Sequence, residues 1–187
     1  MRLVRFVALP ALAAVILFPH LGAAQTFPVV AGTWQVQGGL TGTVLPEAYN
    51  ALWSAQVELR AGMFVAEGWQ IQAAGDARVW PLGAQAPTSY AITGSVLWFP
   101  RMGEHRNLYL LGGGGGFSRG SLPGQGIESG FQPLLRGAVG TNIKMPGQGW
   151  SGRLHLTTEF RGEVWFEEST NFVAGIVFAL SWFSGQK

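Results

Sequence analysis

Residues 51–65, ALWSAQVELRAGMFV, alternate between two chemical classes almost without a break. Apolar residues occupy every second position from Trp53 to Val65, and the positions between them include Gln56, Glu58 and Arg60. A period of two is typical of a strand whose two faces meet different surroundings. After the short segment 66–68 the alternation resumes over residues 69–79, so the two segments predict a β-hairpin.

The same alternation recurs along the rest of the chain, and no segment has a helical period longer than two turns. The predicted strands are 31–41, 51–65, 69–79, 90–98, 108–117, 135–144, 153–161 and 172–182. The predicted connections are short at 66–68, 100–106 and 146–149, and mostly longer at 42–50, 81–87, 118–130 and 163–171. An even number of strands of about 10 residues, with short turns on one rim, is typical of membrane barrels. The pattern predicts an all-β fold, an eight-stranded antiparallel up-and-down transmembrane β-barrel.

The composition agrees with a chain that has little water-facing surface. Charged residues make up 12% of the sequence, against about 25% in soluble domains. Hydrophobic residues make up 48%, which excludes a disordered chain. Glycine is abundant, at 28 of 187 residues, and cysteine is absent. A disulfide framework and a thiolate metal site are therefore excluded.

The first 24 residues have the layout of a secretory signal peptide. Arg2 and Arg5 precede an apolar run over residues 6–21, and Gly22–Ala24 supplies small residues for cleavage. We expect residues 1–24 to be removed and residues 25–187 to form one barrel domain. Lys and Arg total 12 and Asp and Glu total 10, so losing both arginines leaves a formally neutral chain. The pI of about 9.4 therefore does not indicate nucleic-acid binding.

Alternation alone does not say which face points outward. In a soluble lipocalin-like carrier of a hydrophobic ligand the apolar face would line the cavity, and Gly32-Thr33-Trp34 matches the Gly-x-Trp of the lipocalin first strand. A soluble barrel also needs charges outside, and most strands here offer very few. We therefore expect the apolar face to meet lipid, with a soluble periplasmic carrier as the alternative.

An outward apolar face places the charged residues of the strands in the lumen. The interior of an eight-stranded barrel is just wide enough for side chains to fill it. We therefore predict a lumen closed by paired charges, because an unpaired buried charge is costly. Bases outnumber acids in this set, so we expect some bases to reach the rims. The predicted lumen residues are Glu58, Arg60, Asp76, Arg78, Arg136, Lys144, Arg153, His155, Glu159 and Arg161.

Tryptophans near strand ends are expected to form the aromatic girdle at the lipid head groups. The sequence predicts this position for Trp53, Trp69, Trp98, Trp165 and Trp182.

The stretches LYLLGGGGGF (108–117), RGAVG (136–140), EFR (159–161) and GIVFALSWF (175–183) resemble the outer-membrane protein beta-barrel domain family, the small eight-stranded OmpA/OmpX-like barrels. The resemblance covers residues 51–183 as a pattern. It implies a bacterial outer-membrane location, contact with outer-membrane lipids and lipopolysaccharide, and insertion by the barrel-insertion machinery. That machinery reads a terminal aromatic, and here Trp182 and Phe183 are followed by residues 184–187.

Catalysis is the least favoured alternative. Lipid A deacylases on small barrels carry a His-x-Ser-Asn motif, and residues 155–158, His-Leu-Thr-Thr, depart from it at both key positions. His105 lies in a predicted turn, and the glycines at 112–116 lack the following helix of a phosphate loop. Glu163, Glu167 and Glu168 cluster in the last predicted loop, where we expect a solvated or calcium-bridged surface facing lipopolysaccharide and not a defined metal site. We expect no enzyme activity and no cofactor, a monomer, and a structural or surface-interaction role with any partner meeting loops 118–130 and 163–171.

Overall fold

A computed structural model shows the chain as a closed barrel of eight antiparallel strands in sequence order. The structure describes residues 30–44, 53–79, 88–101, 107–119, 130–147, 153–166 and 170–184. The predicted fold class is confirmed. The strands are β1 (Trp34–Val44), β2 (Trp53–Ala66), β3 (Trp69–Val79), β4 (Ser89–Trp98), β5 (Leu108–Arg119), β6 (Gln132–Lys144), β7 (Leu154–Phe166) and β8 (Thr170–Phe183).

The barrel closes where the first strand pairs with the last. The β1–β8 register runs from Gln35 opposite Phe183 to Val44 opposite Ala174. We call the end where β1 begins and β8 ends the terminal rim, and the opposite end the distal rim. The β2–β3 turn lies on the terminal rim, and Gly68 in it has a φ of 76°, a conformation that favours glycine.

Each strand has an outward face rich in apolar residues, and the buried charges of β2, β3, β6 and β7 point inward. Leu59 and Ile92 on the outward face are each 68% exposed. Arg78 and Arg161, on the inward face, are among the most completely buried large side chains. This orientation is the reverse of that in a soluble carrier of apolar ligands. The described residues include no helix of the length and apolarity that a membrane crossing would need.

The predicted loop at 163–171 is wrong. Strand β7 continues to Phe166 and β8 begins at Thr170, so three residues separate them. The inward-facing alternation of Glu159 and Arg161 continues without interruption to Glu163, whose side chain also faces the lumen. The other predicted partner loop, 118–130, begins inside β5, which runs to Arg119. Its residues 120–129, like the leader 1–24 and His105, lie outside the described residues.

Candidate functional site

The lumen is filled by side chains in distinct layers. A hydrophobic cluster near the terminal rim contains Phe64, Leu97, Phe99, Tyr109, Leu111 and Phe183. A second, near the distal rim, contains Ala91, Phe117, Leu134, Trp165 and Val173. Between them lies what we call the charged layer, made of Glu58, Arg60, Asp76, Arg78, Arg136, Glu159, Arg161 and Glu163. Its four guanidinium groups and four carboxylates balance in charge.

A ring of two arginines and two glutamates forms the centre of the charged layer. Arg60 donates from Nη1 and Nη2 to both oxygens of Glu159, at 2.8 and 2.9 Å. Its Nε donates to Glu58. Arg161 makes the reciprocal contacts, with Nη1 and Nη2 on Glu58 at 2.7 and 3.0 Å and Nε on Glu159 at 2.7 Å. Such bidentate, charge-assisted bonds fix the geometry of both partners.

Arg136 and Arg78 connect this ring to the remaining acids. Arg136 donates to Glu58 at 2.9 Å, to Asp76 at 2.8 Å and to Glu163 at 2.9 Å. Arg78 donates to Glu163 at 2.8 Å. The pairs Arg136–Glu58 and Arg78–Glu163 join strands that are four apart in the closed order, which are opposite walls of an eight-stranded barrel. The charged layer therefore spans the diameter of the lumen.

Glycines allow some of these side chains to reach past a neighbouring strand. Tyr109 on β5 lies opposite Gly140 on β6, which in turn lies opposite Glu159 on β7. The Tyr109 ring covers Gly140, where an added Cβ would overlap it. Its hydroxyl donates to Glu159 at 2.7 Å. The missing side chain on β6 is what lets a residue on β5 reach β7.

The glycine run on β5 serves the same purpose for Arg136. Arg136 on β6 bonds Thr93 on β4 at 3.1 Å, and the intervening inward positions on β5 are Gly113 and Gly115. A Cβ at Gly113 would overlap Ser95, and one at Gly115 would overlap the backbone of Ile92. Strand β5 pairs with both neighbours without a register shift, so the run makes space and introduces no bulge.

The terminal half of the lumen also holds neutral polar side chains, which we call the amide layer. It comprises Gln35, Gln37, Gln70, Gln72, Asn142, Thr157 and Ser181. Gln35 Nε2 donates to Ser181 at 2.9 Å and Gln37 at 3.2 Å. Gln70 on β3 passes over Gly62 on β2 and donates to Gln35 on β1 at 2.6 Å.

The remaining predicted lumen residues lie near the terminal rim. His155 is buried, and its ring meets Phe183 edge-on with the centroids 4.8 Å apart. Lys144, which is half-buried, lies opposite His155 on β6, and Arg153, also half-buried, precedes β7. These two rim positions account for part of the surplus of bases in the predicted set, and Glu163, which the prediction omitted, supplies the fourth acid of the charged layer.

The structure differs from the sequence prediction at Trp165 and Glu163, which both face the lumen. Trp165, predicted for the girdle, is 2% exposed and lies in the lumen. Its ring packs tilted against Phe117 with the centroids 4.7 Å apart, the Arg78 guanidinium lies 4.3 Å from its centroid, and its Nε1 donates to Glu163 at 3.1 Å. Trp165 and Glu163 share the parity of Arg161, and that alternation was the signal that could have placed both inside. Tyr109, also missed, follows the inward parity of β5.

Three of the other predicted girdle tryptophans, Trp69, Trp98 and Trp182, lie at the terminal rim. Trp69 and Trp98 are exposed on the outward face and stack with centroids 6.1 Å apart. Trp182, on the outward-facing positions of β8, is half-buried, and Trp34 adds an exposed ring that the prediction omitted. Trp53 begins β2 at the distal rim.

Two positions of the motif considered for catalysis, His155 and Thr157, are buried in the lumen. Thr157, the residue where a deacylase motif has serine, faces the lumen and bonds Asn142 at 2.6 Å and Ser181 at 2.7 Å. Within the described segments, no three His, Cys, Asp or Glu side chains are grouped as a metal ion would require.

Comparisons with known proteins bear on the fold. No family model and no curated protein matches the chain. The crystal structure of Neisserial surface protein A is similar with a TM-score of 0.55 and 11% identity, over 81% of this chain and 97% of that one. The outer membrane protein OprG from Pseudomonas aeruginosa gives 0.49 and 12%, over 84% and 98%. A de novo designed transmembrane β-barrel gives 0.47 and 9%, over 82% and 96%. With the Neisserial protein, this chain therefore shares the fold of the small eight-stranded outer-membrane barrels that the sequence resemblance implied.

Proposed function

We propose that the chain is a bacterial outer-membrane barrel with both termini periplasmic, whose role is structural or in surface interaction and not conduction. The observation that carries the proposal is the charged layer, in which Arg136–Glu58 and Arg78–Glu163 cross the lumen between opposite walls. Buried ion pairs of this kind resist separation, because removing one partner leaves an uncompensated charge in a low-dielectric interior. Two hydrophobic clusters lie on either side of the layer.

The outward face supports a membrane location. Large apolar side chains are exposed on all eight strands, a surface that in water would be an aggregation hazard. The stacked pair of Trp69 and Trp98 lies where the terminal rim would meet head groups. Fractionation tests this directly. We expect the protein to need detergent and to show heat-modifiable migration on gels, whereas recovery in soluble form without detergent would favour the lipocalin-like carrier.

Planar-bilayer recording tests the closed lumen. We expect the purified barrel to give no steady current. The matched variant is Arg136→Ala, which removes the side chain that bonds three of the four carboxylates of the charged layer. If it remains folded, it should conduct more often than the wild type. Large steady currents through the wild-type protein would overturn the proposal.

The non-enzymatic role has its own assay. Purified protein in mixed micelles with lipid A should release no acyl chains, because the described histidine of the mature chain faces the lumen beside Phe183. Acyl-chain release that is lost in His155→Gln would instead establish a lipid-modifying enzyme.

A further inference from the structure

The charges outside the lumen are divided unequally between the two rims. The segments that join strands on the terminal rim are 67–68, 99–107 and 145–153, and those on the distal rim are 45–52, 80–88, 120–131 and 167–169. The distal segments contain four glutamates and no lysine or arginine, namely Glu47, Glu128, Glu167 and Glu168. The terminal segments contain three arginines and two glutamates, namely Arg101, Arg106, Arg153, Glu67 and Glu104. Because the charged layer between the rims is balanced, the barrel has a basic end and an acidic end.

Three cations of the basic end are accessible from the water. Arg101 is exposed, and Lys144 and Arg153 are half-buried. Lys144 is the last residue of β6, and Arg153 directly precedes β7. The pairing of the two strands extends to this level, because Met145 N donates to Leu154 O at 2.9 Å. Lys144 and Arg153 therefore come from neighbouring chain segments and bring two like charges to one side of the rim.

Nearby acids do not balance these cations. Glu67, the acid described on the terminal rim, lies in the turn between β2 and β3, and these strands are four away from β6 and β7 in the closed order. Glu67 is therefore on the opposite wall from Lys144 and Arg153. The carboxylates of the charged layer bond the arginines of that layer. The described part of the terminal rim thus has a positive excess.

The same rim carries the tryptophans that mark the level of the lipid head groups. Trp98 is exposed on the outward face, and Arg101 follows it by three residues, which is at most about 10 Å along an extended chain. Trp182 lies opposite Leu154, the residue after Arg153. The attraction between a cation and a phosphate extends over a Debye length of about 8 Å at physiological salt. Cations at this level are therefore within range of the head-group phosphates.

We propose that the terminal rim binds anionic phospholipid head groups, whose phosphates are attracted by Arg101, Lys144 and Arg153. The inference rests on the membrane location proposed above, which brings lipid to this rim. Lysine and arginine near an anionic lipid surface each add a favourable electrostatic energy, and an attraction to a surface needs no enclosed cavity. The four glutamates of the distal segments disfavour the same lipids at the other rim. The preference for anionic lipid therefore belongs to the leaflet at the terminal rim.

Quenching of tryptophan fluorescence by brominated lipid tests this preference. The protein is reconstituted into vesicles of equimolar phosphatidylcholine and phosphatidylglycerol, with bromine on the acyl chains of one lipid or the other. At low ionic strength brominated phosphatidylglycerol should quench more strongly, with a relative association constant of about 2 to 5 in its favour. At about 1 M salt, where the Debye length is about 3 Å, the constant should fall towards unity. Equal quenching by the two lipids at low ionic strength would refute the inference.

Variants that remove one charge at a time or together locate the preference. The triple variant Arg101→Gln/Lys144→Gln/Arg153→Gln should lose it. Arg119→Gln is the matched control, because it removes a base at the distal end of β5, and it should keep the preference. A preference that persists in the folded triple variant, or that Arg119→Gln abolishes, would exclude the terminal rim as the binding surface.

Folding is checked by heat-modifiable migration in vesicles of phosphatidylcholine alone. If the triple variant does not fold, Arg101→Gln, at an exposed position outside the strands, should lower the association constant by about one-third. An unchanged constant in that variant would count against the role of Arg101. A wild-type protein that does not enter phosphatidylcholine vesicles at all would contradict the membrane location itself, whereas one that enters them without a preference for phosphatidylglycerol would contradict only this inference.

Discussion

The charged layer and the amide layer fill the same lumen in different ways. In the charged layer, ion pairs such as Arg136–Glu58 join opposite walls of the barrel. In the amide layer, bonds such as Gln35–Ser181 and Gln70–Gln35 join adjacent or next-but-one strands. Long arginine side chains reach across the lumen and bond carboxylates from the opposite wall. The shorter amide side chains bond partners on the same or nearby strands. The difference teaches that diametric bracing here depends on charge, and it can be tested by removing one group from each layer.

The largest effect is expected for Glu58→Gln. Glu58 accepts from Arg60, Arg136 and Arg161, so the change leaves three buried cations short of one negative charge. We expect a loss of about 3 to 5 kcal/mol in the free energy of unfolding. Urea titration of the barrel in phospholipid vesicles, followed by tryptophan fluorescence, measures it.

A second carboxylate change shows whether the effect of Glu58→Gln depends on the number of arginines that the carboxylate contacts. Asp76 bonds Arg136 alone among the described side chains, so Asp76→Asn should cost clearly less than Glu58→Gln in the same titration. Equal losses would mean that any buried carboxylate matters equally and that the ring around Glu58 has no special role.

A substitution in the amide layer should lower the free energy of unfolding by less than Glu58→Gln does. Gln35→Met keeps the volume but removes the bonds to Gln37, Gln70 and Ser181. We expect a loss of about 2 kcal/mol, because neutral partners left unsatisfied cost less than charges. If Gln35→Met destabilises the barrel as much as Glu58→Gln does, the contrast between the two layers fails.

Sequence alone predicted the strands and the inward direction of the charges on β2, β3 and β6 and on most of β7, because period-two alternation distinguishes the two faces of a strand. It did not predict the partners. Arg136 meets Glu58 and Thr93 only because of strand order, register and the glycines on β5, and these combine in three dimensions. Glu163 was assigned to a loop because it clusters in the sequence with Glu167 and Glu168, although it continues the inward-facing alternation of Arg161. Trp165 was assigned to the girdle because it lies near a predicted strand end, although it follows the same inward-facing alternation.

The next test concerns Tyr109, whose ring crosses over Gly140 on the neighbouring strand. Gly140→Ala puts a methyl group where the Tyr109 ring lies, so the ring must move and its hydroxyl loses Glu159. We expect a loss of about 2 kcal/mol from overpacking. Tyr109→Phe alone should cost about 1.5 kcal/mol, as for other bonds to a charged acceptor. In the double variant the two losses should not add, since the first change already breaks the bond that the second removes.

The smallest effect, with the opposite sign, is expected at Gly137 on the same strand. Gly137 faces outward, and an added Cβ would find its nearest neighbour, the Leu111 carbonyl oxygen, 3.9 Å away. Gly137→Ala should therefore raise the unfolding free energy by about 0.5 kcal/mol, because glycine within a strand loses more conformational entropy on folding than alanine. The same urea titration applies. Equal destabilisation by Gly137→Ala and Gly140→Ala would mean that β6 needs glycine for its backbone. Opposite signs would mean that only inward glycines are required, as passages for side chains that reach the second strand over.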